Sequence, residues 1–421
     1  MDVITVYGIW FIGLAVVFGL YMTWGIGAND VANAMGTSVG SGAITVKQAI
    51  IIAAVFEFAG VILAGGNVTE TVRKGIIDPT PISNQPELLI FGMLASLLAA
   101  GIWLMIASAK GWPVSTTHSI IGALVGFAVV GIGQDAVQWD TVGQIVVSWV
   151  VSPLVGGAVA LLLMLSIRYL ILNTDTPFEN AKKWGPFYVF LVGFLIALVT
   201  LFKGLKHLDI ELSAGMSFFW AFIVGLLVAG VGWFFIRRQE ADPSADKKFQ
   251  FASVEKVFGP MQVFTACAMA FAHGSNDVAN GIGPLAAVVS IVQTGGEVVQ
   301  EAGLPLWILA LGGFGIVVGL STMGYRVMRT IGKKITDLTP TRGFSAELAA
   351  AATVVLASGT GMPVSTTHIL VGAVMGVGLA RGIGAIDLRV IGKIILSWIV
   401  TLPIGGLLAA FFFFTLKGIF G

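Results

Sequence analysis

Read from its first residue, the chain alternates long apolar runs with short polar breaks. A helix needs about 20 apolar residues to cross a ~30 Å hydrocarbon layer. Runs of that kind lie at roughly 5–24, 47–66, 88–108, 119–133, 141–168, 187–202, 214–236, 257–272, 306–325, 344–359, 366–380 and 393–416. The pattern predicts an all-α membrane protein with about twelve transmembrane helices. Four further stretches, 25–44, 109–118, 273–293 and 360–366, are apolar but broken by Gly, Pro, Asn, Asp, Ser and Thr. They are too short or too polar to span alone. Irregular backbone at membrane depth survives only when buried in protein or lining a cavity, so they are expected to be discontinuous or re-entrant helices.

Composition agrees with a lipid environment. Of 421 residues, 57% are hydrophobic and 11% charged, with a mean hydropathy of +0.94, whereas soluble domains carry about 25% charged residues. A net charge of +1 gives no basic footprint for nucleic acid. Cys267 is the sole cysteine, which excludes an internal disulfide and a cysteine metal cluster. The first basic residue is Lys47, so the basic segment that opens a cleavable signal peptide is missing. With twelve crossings and the N-terminus outside, only Arg73, Lys74, Lys203, Lys206 and Lys417 of the 23 basic residues face outward. Positive residues favour the cytoplasmic side, which predicts a plasma or inner membrane protein with both termini outside. The hydrophilic segment from Arg237 to Gln250 reads as a flexible cytoplasmic tether.

The chain also repeats itself at an offset of about 250 residues. GANDVAN at Gly27–Asn33 returns as GSNDVAN at Gly274–Asn280, and PVSTTH at Pro113–His118 returns at Pro363–His368. Gly122 and Gly126 match Gly372 and Gly376, while Ser148-Trp149 and Pro153 match Ser397-Trp398 and Pro403. The repeats run from about 5–168 and 257–416, with a central two-helix segment at 169–256. Seven crossings separate the starts of the two copies, so the second is upside down. Inverted repeats place a transporter's site near the midplane, where broken helices from both halves meet.

The duplicated motifs carry the chemistry. Asn29, Asp30 and Asn33 share neighbouring faces of a helix, and Asn276, Asp277 and Asn280 repeat the set. A carboxylate at membrane depth costs ~2.5–3.5 kcal/mol on insertion scales unless paired or hydrated. Neither motif contains Lys or Arg. Carboxylate and amide oxygens are hard ligands, so bound sodium or another hard cation is the expected partner; the competing reading is an ordinary helix N-cap. Each PVSTTH segment puts proline at a helix start, followed by Ser115, Thr116 and Thr117 or Ser365, Thr366 and Thr367. Helix N-termini bind anions, and two of them face to face would cage a tetrahedral oxyanion with neutral donors; the competing reading is hydroxyls bonded to their own backbone. Cations beside that cage would make each ligand's binding depend on the other.

His118, His273 and His368 adjoin the motifs and read as hydrogen-bond partners of the site or as proton carriers. Glu57 and Glu347 are acids inside apolar spans that do not match between repeats. Trp149 and Trp398 do match, and a packing role is expected of them.

At GANDVAN, GSNDVAN and the paired PVSTTH segments the sequence resembles the inorganic phosphate transporter (PiT) family, over most of its length. The resemblance implies sodium- or proton-coupled uptake of inorganic phosphate. It points to Asn29, Asp30, Asn276, Asp277 and the Ser/Thr residues of both PVSTTH segments as the ion and phosphate site. Some relatives look like sulfate transporters, which keeps sulfate open as the substrate. An intramembrane enzyme is disfavoured because it needs one nucleophile, not two mirrored copies, and a channel because midplane broken helices suggest alternating access. No cofactor is expected beyond bound sodium, and a homodimer is expected from the base rate of symmetric oligomers.

Overall fold

The computed structural model describes residues 3–78, 80–82, 85–202, 212–246, 251–297, 304–334 and 337–421. The side chain of Asn33 lies outside the described residues. Among the described residues there are helices and turns but no strand of a sheet.

The helices are α1 (Val3–Asn29), α2 (Val31–Gly40), α3 (Val46–Ala64), α4 (Gly66–Lys74), α5 (Pro86–Lys110), α6 (Thr116–Gly131), α7 (Trp139–Ile167), α8 (Pro177–Phe202), α9 (Ala214–Arg237), α10 (Pro243–Asp246), α11 (Ala252–Gln293), α12 (Leu306–Lys334), α13 (Pro340–Gly359), α14 (Thr366–Arg381) and α15 (Leu388–Phe420). Among the described residues eight spans are long and apolar enough to cross a membrane, fewer than the twelve expected. The expected spans that fall short all adjoin the duplicated motifs. α6 and α14 have 16 residues each, about 24 Å at 1.5 Å per residue. α11 and α13 are long enough, but Asn276, Asp277, Asn280 and Glu347 make them too polar.

The expected broken stretches behave in two ways. Those at 109–118 and 360–366 do interrupt the chain, as turns that close the hairpins α5–α6 and α13–α14. Gly111 makes the first turn at φ 66° and Gly361 the second at φ 74°, backbone that a glycine adopts without strain. The stretch at 273–293 is not broken, for it lies inside the unbroken 42-residue α11. The stretch at 25–44 is barely broken, since the Asp30 N–H still reaches Ile26 O at 2.8 Å. Tertiary hydrogen bonds to these Asn and Asp side chains offset their weak helix propensity.

The helix contacts have inverted twofold symmetry. α1 packs on α12 as α11 packs on α3, α7 on α14 as α15 on α6, and α1 on α5 as α11 on α13. Each half therefore completes the other. Close backbone approach makes the crossings possible. A Cβ at Gly27 would stand 1.9 Å from Ile316 O, and one at Gly319 the same distance from Trp24 O. The inverted copy shows it again, with Gly274 against Glu57 O and Gly60 against Phe271 O. The matched glycines Gly122 and Gly372 do the same against Leu402 O and Pro153 O. In a bilayer, where burial from water drives little helix association, such small-residue contacts hold helices together.

α5, α13 and α14 are buried along most of their length. Around them α7, α9 and α15 turn large apolar side chains outward, among them Leu154, Leu162, Phe222, Leu227, Leu407 and Phe411. That outer surface suits lipid, and the polar motifs lie inside it. The central α8 and α9 pack chiefly on each other. The segment expected to be a tether is partly tied down, because the Asp242 N–H donates to Ser253 Oγ and the Ser253 N–H to Asp246 Oδ1, both at 2.8 Å; residues 247–250 lie outside the described residues.

Gly27→Leu should therefore lower the melting temperature of the detergent-solubilised protein, with a loss of about 1–3 kcal/mol or more. Gly143→Ala, where a Cβ meets nothing within 4 Å, should leave it nearly unchanged. Equal melting of both variants and the parent would refute the close-packing account.

Candidate functional site

The two hairpin turns and the two ND motifs converge at one buried place. Asn29 ends α1 and bonds the α5–α6 turn three ways: its Nδ2 donates to Ser108 Oγ (3.1 Å) and Trp112 O (3.0 Å), and its Oδ1 accepts from Val114 N (3.2 Å). Asn276 repeats two of these on the other turn, donating to Ser358 Oγ (2.9 Å) and Met362 O (3.2 Å). Each asparagine thus fastens a long helix to its own half's turn.

The carboxylates are bonded by hydroxyls. Asp30 accepts from Thr116 (2.5 Å) and from Thr367 of the opposite repeat (3.1 Å). Asp277 accepts from Thr366 at 2.7 Å. Asp30 is the residue before α2, yet its side chain caps nothing there, so the N-cap reading fails for it. The turns also clasp each other across the twofold axis: Thr117 donates to Val364 O at 3.0 Å, and the single O–H of Thr367 has Val114 O at 3.2 Å as an alternative acceptor to Asp30. Asn280 donates to Thr116 at 3.3 Å and Thr117 at 3.2 Å. Ser115 and Ser365 cap α6 and α14, accepting from the N–H of His118 and His368. The cap uses the serine oxygen as acceptor and leaves its O–H to donate.

Three oxygens of the second motif are left without a hydrogen-bond donor among the described residues. They are Asn276 Oδ1, Asp277 Oδ1 and Asn280 Oδ1, all buried. Their residues lie within about one helical turn of α11. Buried acceptors without partners are rare and need an explanation. A hard cation is one such partner for carboxylate and amide oxygens. Asp30, His273 and Asp277 each bring a ligand atom within 4.8 Å of the others, all buried.

His273 links a further acid to this site. Its Nε2 lies 3.0 Å from Asp277 Oδ2 and its Nδ1 3.0 Å from Glu57 Oε2. A neutral imidazole has one N–H. Only the Nδ1 contact to Glu57 has hydrogen-bond geometry; Nε2 makes none among the described residues, so a shared proton or a shared cation between it and Asp277 would reconcile the two contacts. The symmetry breaks here. Gly274 meets Glu57 O as Gly27 meets Ile316 O, so the counterparts of His273 and Glu57 are the buried, apolar Ile26 and Ile316.

The other sequence candidates divide. His118 and His368 lie with ring centroids 4.4 Å apart, and Trp149 and Trp398 pack against them. His118 Nδ1 lies 3.2 Å from Trp398 O, and His368 Nδ1 3.1 Å from Trp149 O. Glu347 stands in a different cluster, taking hydrogen bonds from Thr37, Ser38, Gln262 and Thr265. Sequence reasoning missed Ser108 and Ser358, which hold the two asparagines. Both stand five residues before the motif proline, so the repeat itself carried the signal. The pairing of Glu57 with His273 had no sequence signal, because their helices meet only in the fold.

Thr71 of α4 donates to Gly361 O at 2.7 Å, against the α13–α14 turn. The α5–α6 turn lines a cavity of 520 Å³ with Trp103, Lys110, Trp112, Lys393 and Ser397.

Comparison with known proteins follows this geometry. Residues 26–409 match the model of the phosphate transporter family. The chain is 52% identical to a putative phosphate permease of Haemophilus influenzae over the full length of both. It is 46% identical to the chloroplastic inorganic phosphate transporter 2-1 of Arabidopsis thaliana, over 94% of this chain and 70% of that one. A solved structure described as the sodium-dependent phosphate transporter superposes with a TM-score of 0.90 at 40% identity, covering 97% of this chain and 99% of its own.

Asn29→Ala removes three hydrogen bonds that hold the α5–α6 turn. It should cost about 1–3 kcal/mol of stability, because buried groups lose their partners. Thermal melting in detergent reads this, and a melting temperature equal to the parent's would show that the turn is held by other contacts.

Proposed function

The chain belongs to the phosphate transporter family, and we propose that it is a secondary transporter carrying inorganic phosphate across the cell membrane in symport with sodium. The observation that carries this reading is the set of buried oxygens of Asn276, Asp277 and Asn280 without donors. A sodium ion there would satisfy them and supply positive charge that neither motif contains. The solved relative described as sodium-dependent supports the same ion.

In this reading phosphate binds at the starts of α6 and α14. Free N–H groups of the first turn and the hydroxyls of Ser115, Thr116, Thr117, Ser365, Thr366 and Thr367 are its donors. Thr116, Thr366 and Thr367 already donate to Asp30 and Asp277, so the anion and cation sites share walls. An anion drawing these hydroxyls away leaves the carboxylates to the cation, and a cation on the carboxylates frees the hydroxyls. Each ligand then raises the other's affinity by the same factor. Passage requires the clasp between Thr117, Val364, Thr367 and Val114 to part. The cavity beside the α5–α6 turn, with both termini outside, fits access from the cytoplasm. The repeats at 5–168 and 257–416, around the segment 169–256, are the units that would alternate between the two sides.

One observation favours proton coupling as a second reading: His273 stands between Glu57 and Asp277, three buried titratable groups in a row that would serve as a proton relay. Sulfate is the rival substrate, since a cage of neutral donors fits any tetrahedral oxyanion.

Phosphate uptake into proteoliposomes at fixed pH, with and without an inward sodium gradient, tests these readings together. Sodium should drive accumulation. Asp277→Asn should abolish it, and Asn280→Ala should raise the sodium concentration for half-maximal uptake about tenfold, worth 1.4 kcal/mol. Uptake that ignores sodium but follows a pH gradient would shift the coupling to the His273 trio. No phosphate uptake under either gradient would exclude the substrate, with sulfate then the next candidate.

A further inference from the structure

At the far ends of α13 and α14 a second polar cavity is built from residues that the transport site does not use. It has a volume of 210 Å³ and is lined by Arg168, Arg342, Arg381, Glu255, Thr339 and Thr341, among others. That is room for about seven waters at ~30 Å³ each. Three guanidiniums line it against one carboxylate, and with Asp337 also near Arg342 the balance stays positive. Glu255 is occupied, accepting the Thr341 N–H at 2.7 Å in the first turn of α13. Arg168 donates to Ala380 O at 2.5 Å and Arg342 to Asp337 O at 2.8 Å, and these carbonyl bonds hold two of the guanidiniums in place. Arg342 and Arg381 lie near enough to repel each other.

Two hydroxyls on the cavity wall have no hydrogen-bond partner among the described residues: Thr339 Oγ1 and Thr341 Oγ1. Thr341 is 1% exposed. A buried hydroxyl left unbonded costs about 1–3 kcal/mol, so a ligand that accepts from it is favoured. Like-charged arginines gathered around free hydroxyls have one common complement, a multivalent oxyanion that guanidinium forks grip in pairs.

The inverted copy shows that this cavity is no by-product of symmetry. The offset that relates Pro113 to Pro363 relates Phe91 to Thr341, Gly92 to Arg342 and Gly131 to Arg381. There the space is filled with rings: Phe11, Phe91 and Phe420 pack within 6.4 Å of one another. One end of the molecule is closed by aromatic packing, and the other keeps an open, basic pocket.

We propose that this cavity is a second anion site, which takes a phosphate group, either as free inorganic phosphate or as the phosphate monoester headgroup of a lipid. It is separate from the transport site. Thr341 and Ser358 lie at opposite ends of α13, about 25 Å apart at 1.5 Å per residue. The same two helices that carry Ser358 and Thr366 at the transport site carry Thr341 and Arg381 here, so an occupant would bear on both hairpin arms.

The test is equilibrium dialysis of the delipidated full-length protein in detergent against radiolabelled orthophosphate with sodium. The parent should bind two phosphates per chain. Thr116→Val with Thr366→Val should leave one, and Arg342→Gln with Arg381→Gln should leave the other. Arg381 is exposed, so Arg381→Gln alone, checked by gel filtration, should weaken the second site about tenfold if the double variant misfolds. A parent that binds one phosphate, lost on changing the arginines but not the threonines, keeps the proposal and removes phosphate from the central site. A parent that binds one, lost with the threonines, moves the question to lipid. Native mass spectrometry should then show phosphatidic acid retained over phosphatidylcholine by the parent and released from the arginine variants. Failure of that preference as well would overturn the proposal.

Discussion

Two buried aspartates bonded by threonine hydroxyls are the constraint around which this structure is arranged. A carboxylate inside a bilayer needs a partner, and here Asp30 and Asp277 find theirs on the hairpin turns. Those turns are short, irregular and polar, so they must in turn be buried in protein. The long helices carrying the aspartates cross in close backbone contact, and α7, α9 and α15 shield the assembly with an apolar surface. Hydroxyls can exchange one partner for another at small cost, which suits a site that must bind and release.

The same arrangement explains why the halves are alike in backbone but not in chemistry. Helix crossings need glycine on both sides of the axis, so the crossing glycines are duplicated. Some polar attachments are not. His273 and Glu57 have Ile26 and Ile316 as counterparts, and the basic cavity at Arg342 and Arg381 has an aromatic cluster. Among the described residues the unbonded oxygens lie on the second motif; the side chain of Asn33, the counterpart of Asn280, is outside them.

Much of this was legible in the residues. Apolar run lengths establish the membrane helices, the repeated motifs establish the inverted halves, and PVSTTH marks a helix start, although the helices begin at Thr116 and Thr366 with Ser115 and Ser365 as caps, which leaves both prolines outside them in the turn. These are local properties, set by hydropathy, by period and by what proline and glycine permit. The sequence also marked Asn29, Asp30, Asn276 and Asp277 as a set, since buried polar groups without basic neighbours stand out in an apolar chain.

Other features were decided only by packing. α11 runs unbroken through Gly274, Asn276 and Pro284, because its side chains find partners on other helices that local propensity does not know of. Glu57 joins the site and Glu347 does not, although both read alike as lone acids in apolar runs. The difference is which helix each faces: Glu57 meets His273 across the α3–α11 crossing, and Glu347 meets Thr37, Ser38, Gln262 and Thr265. By itself, then, the chain determined its medium, its helices, its doubling and the residue types of its site. Tertiary structure decided which of those residues share a hydrogen bond, because such bonds join positions tens to hundreds of residues apart, and no local rule links them.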